Sequence, residues 1–227
     1  MEKKEFPKKG PGQKPKTEMG PVKKPSWISN RAFDIIKLIL GICLLPFVYS
    51  STVAFLKQMS YLGFSLQVSF WSGVLTLVLV HLFAFEPEWV YQKGHKLLEF
   101  IFSFFQPLVR VAPYLLPVYT ITIFFAYLIT ALFIKESWLI TYTMFFFGLS
   151  LALHLVFSSR AIRSKKGDIL RSNYIFGFSF IYIVNLGIFA LFLNIIFKDF
   201  SFVNFCNNAY YLASGLFQAV LSQLFRV

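Results

Sequence analysis

Residues 174–197 read YIFGFSFIYIVNLGIFALFLNIIF, a run without a single charged side chain. A helix of about 20 apolar residues crosses the hydrocarbon core of a bilayer, so this stretch predicts a transmembrane helix. The whole chain has a similar character, since hydrophobic residues make up 57% of its 227 residues and aromatic residues 20%. A soluble domain of this size has no means of burying so much apolar surface. We therefore predict an all-α, polytopic membrane helix bundle with lipid as its main solvent.

Four further apolar stretches are long enough to cross a membrane, and polar turns separate them. The five predicted spans are approximately 33–56, 67–85, 111–134, 138–157 and 174–197. Two more apolar segments differ from ordinary spans. The segment 89–106 predicts a short or partly inserted helix that spans, re-enters or lies flat. The segment 202–225 is interrupted by Asn and Gln residues and predicts an interfacial or protein-packed helix.

Small and aromatic residues inside the predicted spans have a packing role that is available to any helix bundle. The glycines expected to permit close approach of neighbouring helices are Gly41, Gly73, Gly148, Gly177 and Gly187. The tryptophans expected to anchor helix ends at the membrane surface are Trp27, Trp89 and Trp138. None of these residues identifies a ligand.

The first 30 residues differ from everything that follows, since they contain five prolines and eight lysines but few apolar side chains. A segment of this composition does not bury enough surface to offset the entropy of ordering. We therefore divide the chain into a disordered basic tail (1–30), a membrane helix bundle (31–200) and a C-terminal apolar helix (201–227). The tail lysines are expected to set the topology, and contact with anionic lipid headgroups is the alternative.

The net charge of +12 is unevenly distributed along the chain. Nine of the 22 lysines and arginines precede Ala32, and five more lie between Arg160 and Arg171. This is the pattern that the positive-inside rule produces, so we predict that the N-terminus lies in the cytoplasm. No nucleic-acid partner is predicted, because no recognition motif accompanies the charge. Cys43 and Cys206 are far apart and indicate neither a disulfide framework nor a thiolate metal site.

Strongly polar side chains at membrane depth are costly, so each is a candidate functional residue. The candidates are His81, His95, Glu99, Arg110, His154, Asn185 and Asn194. His81 is expected to form hydrogen bonds at the membrane surface, and the two asparagines are expected to form them between helices. His95 and Glu99 form the most informative pair, because residues four apart lie on one face of a helix and can meet the same ion or proton.

Residues 91–100, which read YQKGHKLLEF, contain this pair. The stretch resembles the Gly-His-Glu-x-x-His helix of the site-2-protease-like intramembrane zinc metallopeptidases, in which two histidines hold zinc and the glutamate activates water. Residues 112–120 (APYLLPVYT), residues 148–168 and Asn185 also look similar to later parts of a bacterial branch of that family. The resemblance covers about residues 70–195. It implies a helical membrane fold and location in a bacterial cytoplasmic membrane.

The motif departs from the family pattern at two positions on which hydrolysis depends. Lys96 replaces the general-base glutamate, and Glu99 replaces the second histidine. A protonated lysine cannot act as the base, and it repels a metal ion beside it. The resemblance therefore implies a catalytically inactive relative without a cofactor, which acts as a binding or assembly subunit for other membrane proteins.

Two other functions remain open from the sequence. A divergent membrane zinc metallopeptidase would use a rearranged ligand set, since imidazole and carboxylate groups both suit zinc. The candidate zinc ligands are His95, Glu99, His154 and Asp168. A small transporter or channel component would instead line a polar path with Arg110, His154 and Asn185.

Overall fold

The computed structural model describes residues 27–84, 88–103, 112–134, 136–164 and 174–225, and these residues contain helices and turns but no strand. The described helices are α1 (Trp27–Met59), α2 (Phe64–Leu79), α3 (Glu88–Ile101), α4 (Val118–Phe133), α5 (Ser137–Ser164), α6 (Tyr174–Ile196) and α7 (Phe202–Phe225). The end of α2 continues into a wider π-helical turn, Val80–Ala84, and a single helical turn at 112–115 precedes α4. Residues 1–26 of the predicted tail lie outside the described residues, and α1 begins at Trp27.

Four of the described helical segments are long and apolar enough to cross a membrane: Ile35–Met59, Phe64–Phe83, Ser137–Ile162 and Tyr174–Ile196. They correspond to four of the five predicted spans. The remaining one, 111–134, is built differently, because α4 has only 16 residues and begins after Pro117. At about 1.5 Å per residue α4 is about 24 Å long, which is less than the roughly 30 Å hydrocarbon core. The chain is an all-α integral membrane protein, as the sequence predicted.

Among the described helices, α2 and α5 pack together most extensively. Their backbones meet at two glycines, one from each helix. A Cβ atom on Gly73 would overlap the carbonyl oxygen of Phe145, and a Cβ on Gly148 would overlap the carbonyl oxygen of Phe70. Close helix approach was predicted for both glycines and is confirmed, since no other residue leaves room for the facing backbone.

The other helices are arranged around this pair. The α5 helix also contacts α4 and α6, while α1 contacts both α6 and α7. Gly41 permits the close approach of α1 and α6, because a Cβ there would lie 2.9 Å from the backbone nitrogen of Phe176. The same prediction is wrong for Gly187, where nothing lies within 4 Å of a Cβ position.

Phenylalanine side chains fill the centre of the bundle. Phe189 of α6 is fully buried, and its ring lies 5.4 Å from that of Phe70, 5.7 Å from that of Phe55 and 5.3 Å from that of Phe147. These four rings come from four different helices. Their mutual packing joins α1, α2, α5 and α6 into one core.

The start of α7 is held by side chains from two other helices. Gln58 of α1 accepts a hydrogen bond from the backbone N–H of Ser201 (3.0 Å), and Asn194 of α6 accepts one from that of Phe202 (2.9 Å). The Ser201 hydroxyl oxygen accepts a third from the N–H of Asn204 (3.2 Å), as an N-cap serine does. These contacts confirm the predicted interhelical role of Asn194 and hold the start of α7 against α1 and α6.

Candidate functional site

The helix that contains the motif, α3, packs against α4 and α5. Tyr91, Gly94 and Leu98 form its buried face, while Lys93 and Lys96 are exposed. The Lys93 ammonium group lies 4.8 Å from the centre of the Trp89 ring, a favourable cation–π contact. At 14 residues α3 is about 21 Å long, which is shorter than the hydrocarbon core. It is an amphipathic helix docked on the bundle by its apolar face.

The predicted pair meets on one side of α3. The Nε2 atom of His95 lies 3.3 Å from Oε1 of Glu99. The His95 ring also lies edge-on to the Tyr114 ring, with 4.9 Å between the ring centres, and 6.0 Å from the Tyr91 ring. His95 and Glu99 therefore pair as predicted for residues four apart on one face of a helix. Aromatic rings lie next to the imidazole.

A proline break near this pair turns two backbone carbonyls out of helical hydrogen bonding. Pro117 has no N–H to donate, and α4 starts only at Val118, after the separate turn at 112–115. The carbonyls of Tyr114 and Leu115 therefore lose the donors that a continuous helix would supply. In a membrane such groups must find partners within the protein.

Three polar side chains from neighbouring helices donate to these carbonyls. Nε2 of His154 lies 3.1 Å from the carbonyl oxygen of Tyr114, and the Ser158 hydroxyl lies 3.4 Å from the same oxygen. Nδ2 of Asn185 donates to the carbonyl oxygen of Leu115 at 3.0 Å. His154 and Ser158 belong to α5 and Asn185 belongs to α6, so the segment before α4 is hydrogen-bonded to both helices.

The direction of each hydrogen bond follows from the carbonyl, which only accepts. We assign the proton of the neutral His154 ring to Nε2, since that atom faces the carbonyl of Tyr114. The Ser158 hydroxyl donates to the same carbonyl and accepts from the Tyr91 hydroxyl, which lies 3.2 Å away. This buried network connects α3 and α5 to the segment before α4.

Gly94, the glycine of the motif, makes room for a tyrosine of α4. A Cβ on Gly94 would lie 2.9 Å from Cε2 of Tyr119. The Tyr119 hydroxyl donates a hydrogen bond to the backbone carbonyl of Val90. The absence of a side chain at residue 94 therefore allows α3 and α4 to dock.

His81 connects the end of α2 to the end of α5. A guanidinium nitrogen of Arg160 lies 3.2 Å from Nε2 of His81, and the Phe157 ring lies edge-on to the His81 ring at 5.9 Å. Since the guanidinium only donates, His81 Nε2 is the acceptor. The predicted hydrogen-bonding role of His81 is confirmed.

The structure brings only part of the predicted zinc set together. His95 and His154 both lie about 6 Å from the Tyr91 ring, but within the described ranges no three His, Cys, Asp or Glu side chains form a group that could hold a metal ion. Asp168 and Arg110 lie outside the described residues, so the four-residue zinc set and the polar path stay predictions.

Sequence reasoning missed Ser158 and the carbonyls of Tyr114 and Leu115. The signal for them was present in Pro117, because a proline that breaks a helix at membrane depth requires polar partners on adjacent helices.

Comparison of the chain with models of protein families, with curated proteins and with solved structures gives no match in any of the three.

Proposed function

We propose that this chain is a catalytically inactive relative of the site-2-protease-like intramembrane metallopeptidases that acts as a binding or assembly subunit in the membrane. The observation behind this proposal is that the buried polar side chains form hydrogen bonds to backbone carbonyls. His154, Ser158 and Asn185 each donate a hydrogen bond to a carbonyl released at the proline break. These contacts give all three side chains a part in holding the segment before α4 against α5 and α6, so they favour a structural role.

The motif residues support the same function. A zinc hydrolase needs a carboxylate beside the metal-bound water, and the corresponding residue here is Lys96, which is exposed. The carboxylate of Glu99 is already paired with His95. Gly94 accommodates the ring of Tyr119. Gly94, His95 and Glu99 thus each have a contact within the fold that requires no metal.

A transport path receives less support from the same contacts. His154 and Asn185, which would line such a path, are only 5% and 0% exposed. Both donate to backbone carbonyls, so water or a solute would have to displace these bonds. We therefore favour a binding or assembly subunit over a transporter.

The basic residues support a cytoplasmic location for the side of the bundle that contains α3. Lys93 and Lys96 on α3 and Arg160 near the end of α5 are all exposed, and the Tyr91–Ser158 hydrogen bond places these two helices together. Cytoplasmic ends of membrane helices are enriched in such cations. We propose that this side also contacts anionic lipid headgroups.

A cleavage assay tests the proposed lack of catalysis. Purified protein in liposomes is incubated with single-span model peptides, with and without a zinc chelator, beside His95→Ala and a control, Glu136→Ala, which changes an exposed acidic residue outside α3. We expect no cleavage in any sample. Cleavage that the chelator and His95→Ala both abolish, but Glu136→Ala does not, would overturn the proposal.

A further inference from the structure

The last helix, α7, packs against α1. The N–H of Ser201 bonds to Gln58 near the end of α1, and further along both helices the rings of Phe217 and Phe47 lie 5.6 Å apart. The two helices therefore run antiparallel. Phe47 is about 18 Å along the axis from Met59, where α1 ends. Phe47 lies near the middle of the candidate span Ile35–Met59, and a hydrocarbon core is roughly 30 Å thick, so we infer that the region around Phe217 lies near mid-membrane.

Two sides of α7 have opposite character. The side that faces the bundle contains Phe205 and Ala213, which are 5% and 1% exposed. The other side contains six exposed polar or small residues, which we call the polar stripe: Asn204, Asn207, Tyr211, Gly215, Gln218 and Ser222. The exposed apolar residues Leu221 and Phe225 lie on the same side, near the end of the helix. At about 100° per residue, all six positions fall within about 80° of the helix circumference. Within the described part of the chain, no side chain of the stripe hydrogen-bonds to another helix.

A polar stripe in contact with lipid is unfavourable, because amide groups in hydrocarbon lose their hydrogen bonds to water. The stripe therefore requires a partner that supplies donors and acceptors. Residues 202–225 contain no Asp, Glu, Lys, Arg or His, so the partner needs no opposite charge. Asn and Gln side chains both donate and accept, which makes the stripe complementary to a second copy of itself.

The spacing of the stripe also fits a pair of identical helices. Asn204, Tyr211 and Gln218 are seven residues apart, which is the repeat of two helices that coil around each other. Two copies inserted in the same orientation present parallel α7 helices. A two-fold axis between them places each residue near the same residue of the second copy. Gly215 lies within the stripe with nothing inside 4 Å of its Cβ position, so the two backbones have room to approach.

We propose that two copies of this chain associate in the membrane through the polar stripes of parallel α7 helices. The inference names the partner for the assembly role proposed above and rests on that role. Its tests measure association alone. A metal-dependent cleavage activity would overturn the proposed lack of catalysis and leave the association result unchanged.

Cysteine cross-linking tests the orientation of α7. The two native cysteines are exposed, so both are first replaced by serine (Cys43→Ser, Cys206→Ser). Ser222→Cys then places a thiol in the stripe, and the control Val220→Cys places one at nearly the same depth about 160° around the helix. After oxidation in liposomes, we expect a disulfide-linked dimer for Ser222→Cys only. Equal cross-linking of both variants, or none at Ser222→Cys, would overturn the proposal.

A second experiment measures the contribution of the amides. Dimerisation of fluorescently labelled protein in phosphatidylcholine liposomes is compared for wild type, Asn207→Leu with Gln218→Leu, and the swap Asn207→Gln with Gln218→Asn. Leucine favours membrane insertion, so a loss of dimer reports lost contacts. We expect about tenfold weaker dimerisation for the leucine variant and a retained dimer for the swap. A monomeric wild type, or a leucine variant that dimerises as the wild type does, would refute the inference.

Discussion

Replacing His154 by phenylalanine removes one hydrogen-bond donor while keeping a ring of similar size. The Ser158 hydroxyl remains as a donor to the Tyr114 carbonyl at 3.4 Å, a longer and weaker contact than the 3.1 Å bond from His154. A lost hydrogen bond to a buried group costs about 1–3 kcal/mol. Because Ser158 remains as a partial substitute, we expect the free energy of unfolding to fall by about 1 kcal/mol.

The loss of stability in His154→Phe depends on which other donors form a hydrogen bond to the Tyr114 carbonyl. In the double variant His154→Phe with Ser158→Ala, the Tyr114 carbonyl loses both side-chain donors. We therefore expect the double variant to lose more stability than the two single variants together, by about 1 kcal/mol. Asn185→Leu should lower the free energy of unfolding more than His154→Phe does. Asn185 is the donor to the Leu115 carbonyl, and among the described contacts no second side chain replaces it.

Reversible unfolding in mixed detergent micelles, followed by circular dichroism, measures these free energies. The control is Ser159→Ala on the same helix, since within the described residues the Ser159 hydroxyl bonds to the carbonyl of Val156 in its own helix and to no other group. Strictly additive losses for His154→Phe and Ser158→Ala would show that the two donors do not substitute for each other at the Tyr114 carbonyl. A His154→Phe variant as stable as the wild type would show that the His154 bond does not stabilise the fold.

Three further predictions follow from the packing and topology of the bundle. Gly73→Ala should destabilise the protein by about 1–3 kcal/mol or more, because the new Cβ overlaps the Phe145 carbonyl, whereas Gly187→Ala should be neutral or stabilising in the same unfolding assay. Gln58→Leu should speed hydrogen exchange of the Ser201 amide, measured by mass spectrometry, because that N–H loses its acceptor; unchanged exchange would contradict the capping role. Since α7 runs antiparallel to α1, reporter proteins fused to either terminus should be found on the same side of the membrane, and opposite sides would refute this arrangement.

Much of the fold could be predicted because membrane spans follow from local composition. The hydrocarbon core sets a length of about 20 apolar residues, so a single stretch such as 174–197 indicates a span by itself. The pairing of His95 with Glu99 is also local, since a spacing of four places them on one face. These features need no knowledge of which helices are neighbours.

The interhelical hydrogen bond of Asn185 was predicted and is confirmed, but the partners of His154 and Asn185 could not be predicted in the same way. Their partners are carbonyls of a segment that is 40 and 70 residues away in sequence, and only the tertiary packing brings them together. For residues 202–225 the sequence left an interfacial and a protein-packed helix open, because the Asn and Gln residues are typical of both. The acceptor at Gln58 that fixes the start of α7 is again on another helix.

The metal content of the purified protein tests the lack of a catalytic zinc site most directly. Elemental measurement is made on detergent-purified wild type, His95→Ala, Glu99→Ala and the control Glu136→Ala, after dialysis against buffer with trace zinc. We predict the same substoichiometric zinc content in all four samples. About one zinc per chain in the wild type and in Glu136→Ala, lost in both His95→Ala and Glu99→Ala, would contradict the prediction and assign the altered motif to a metal site.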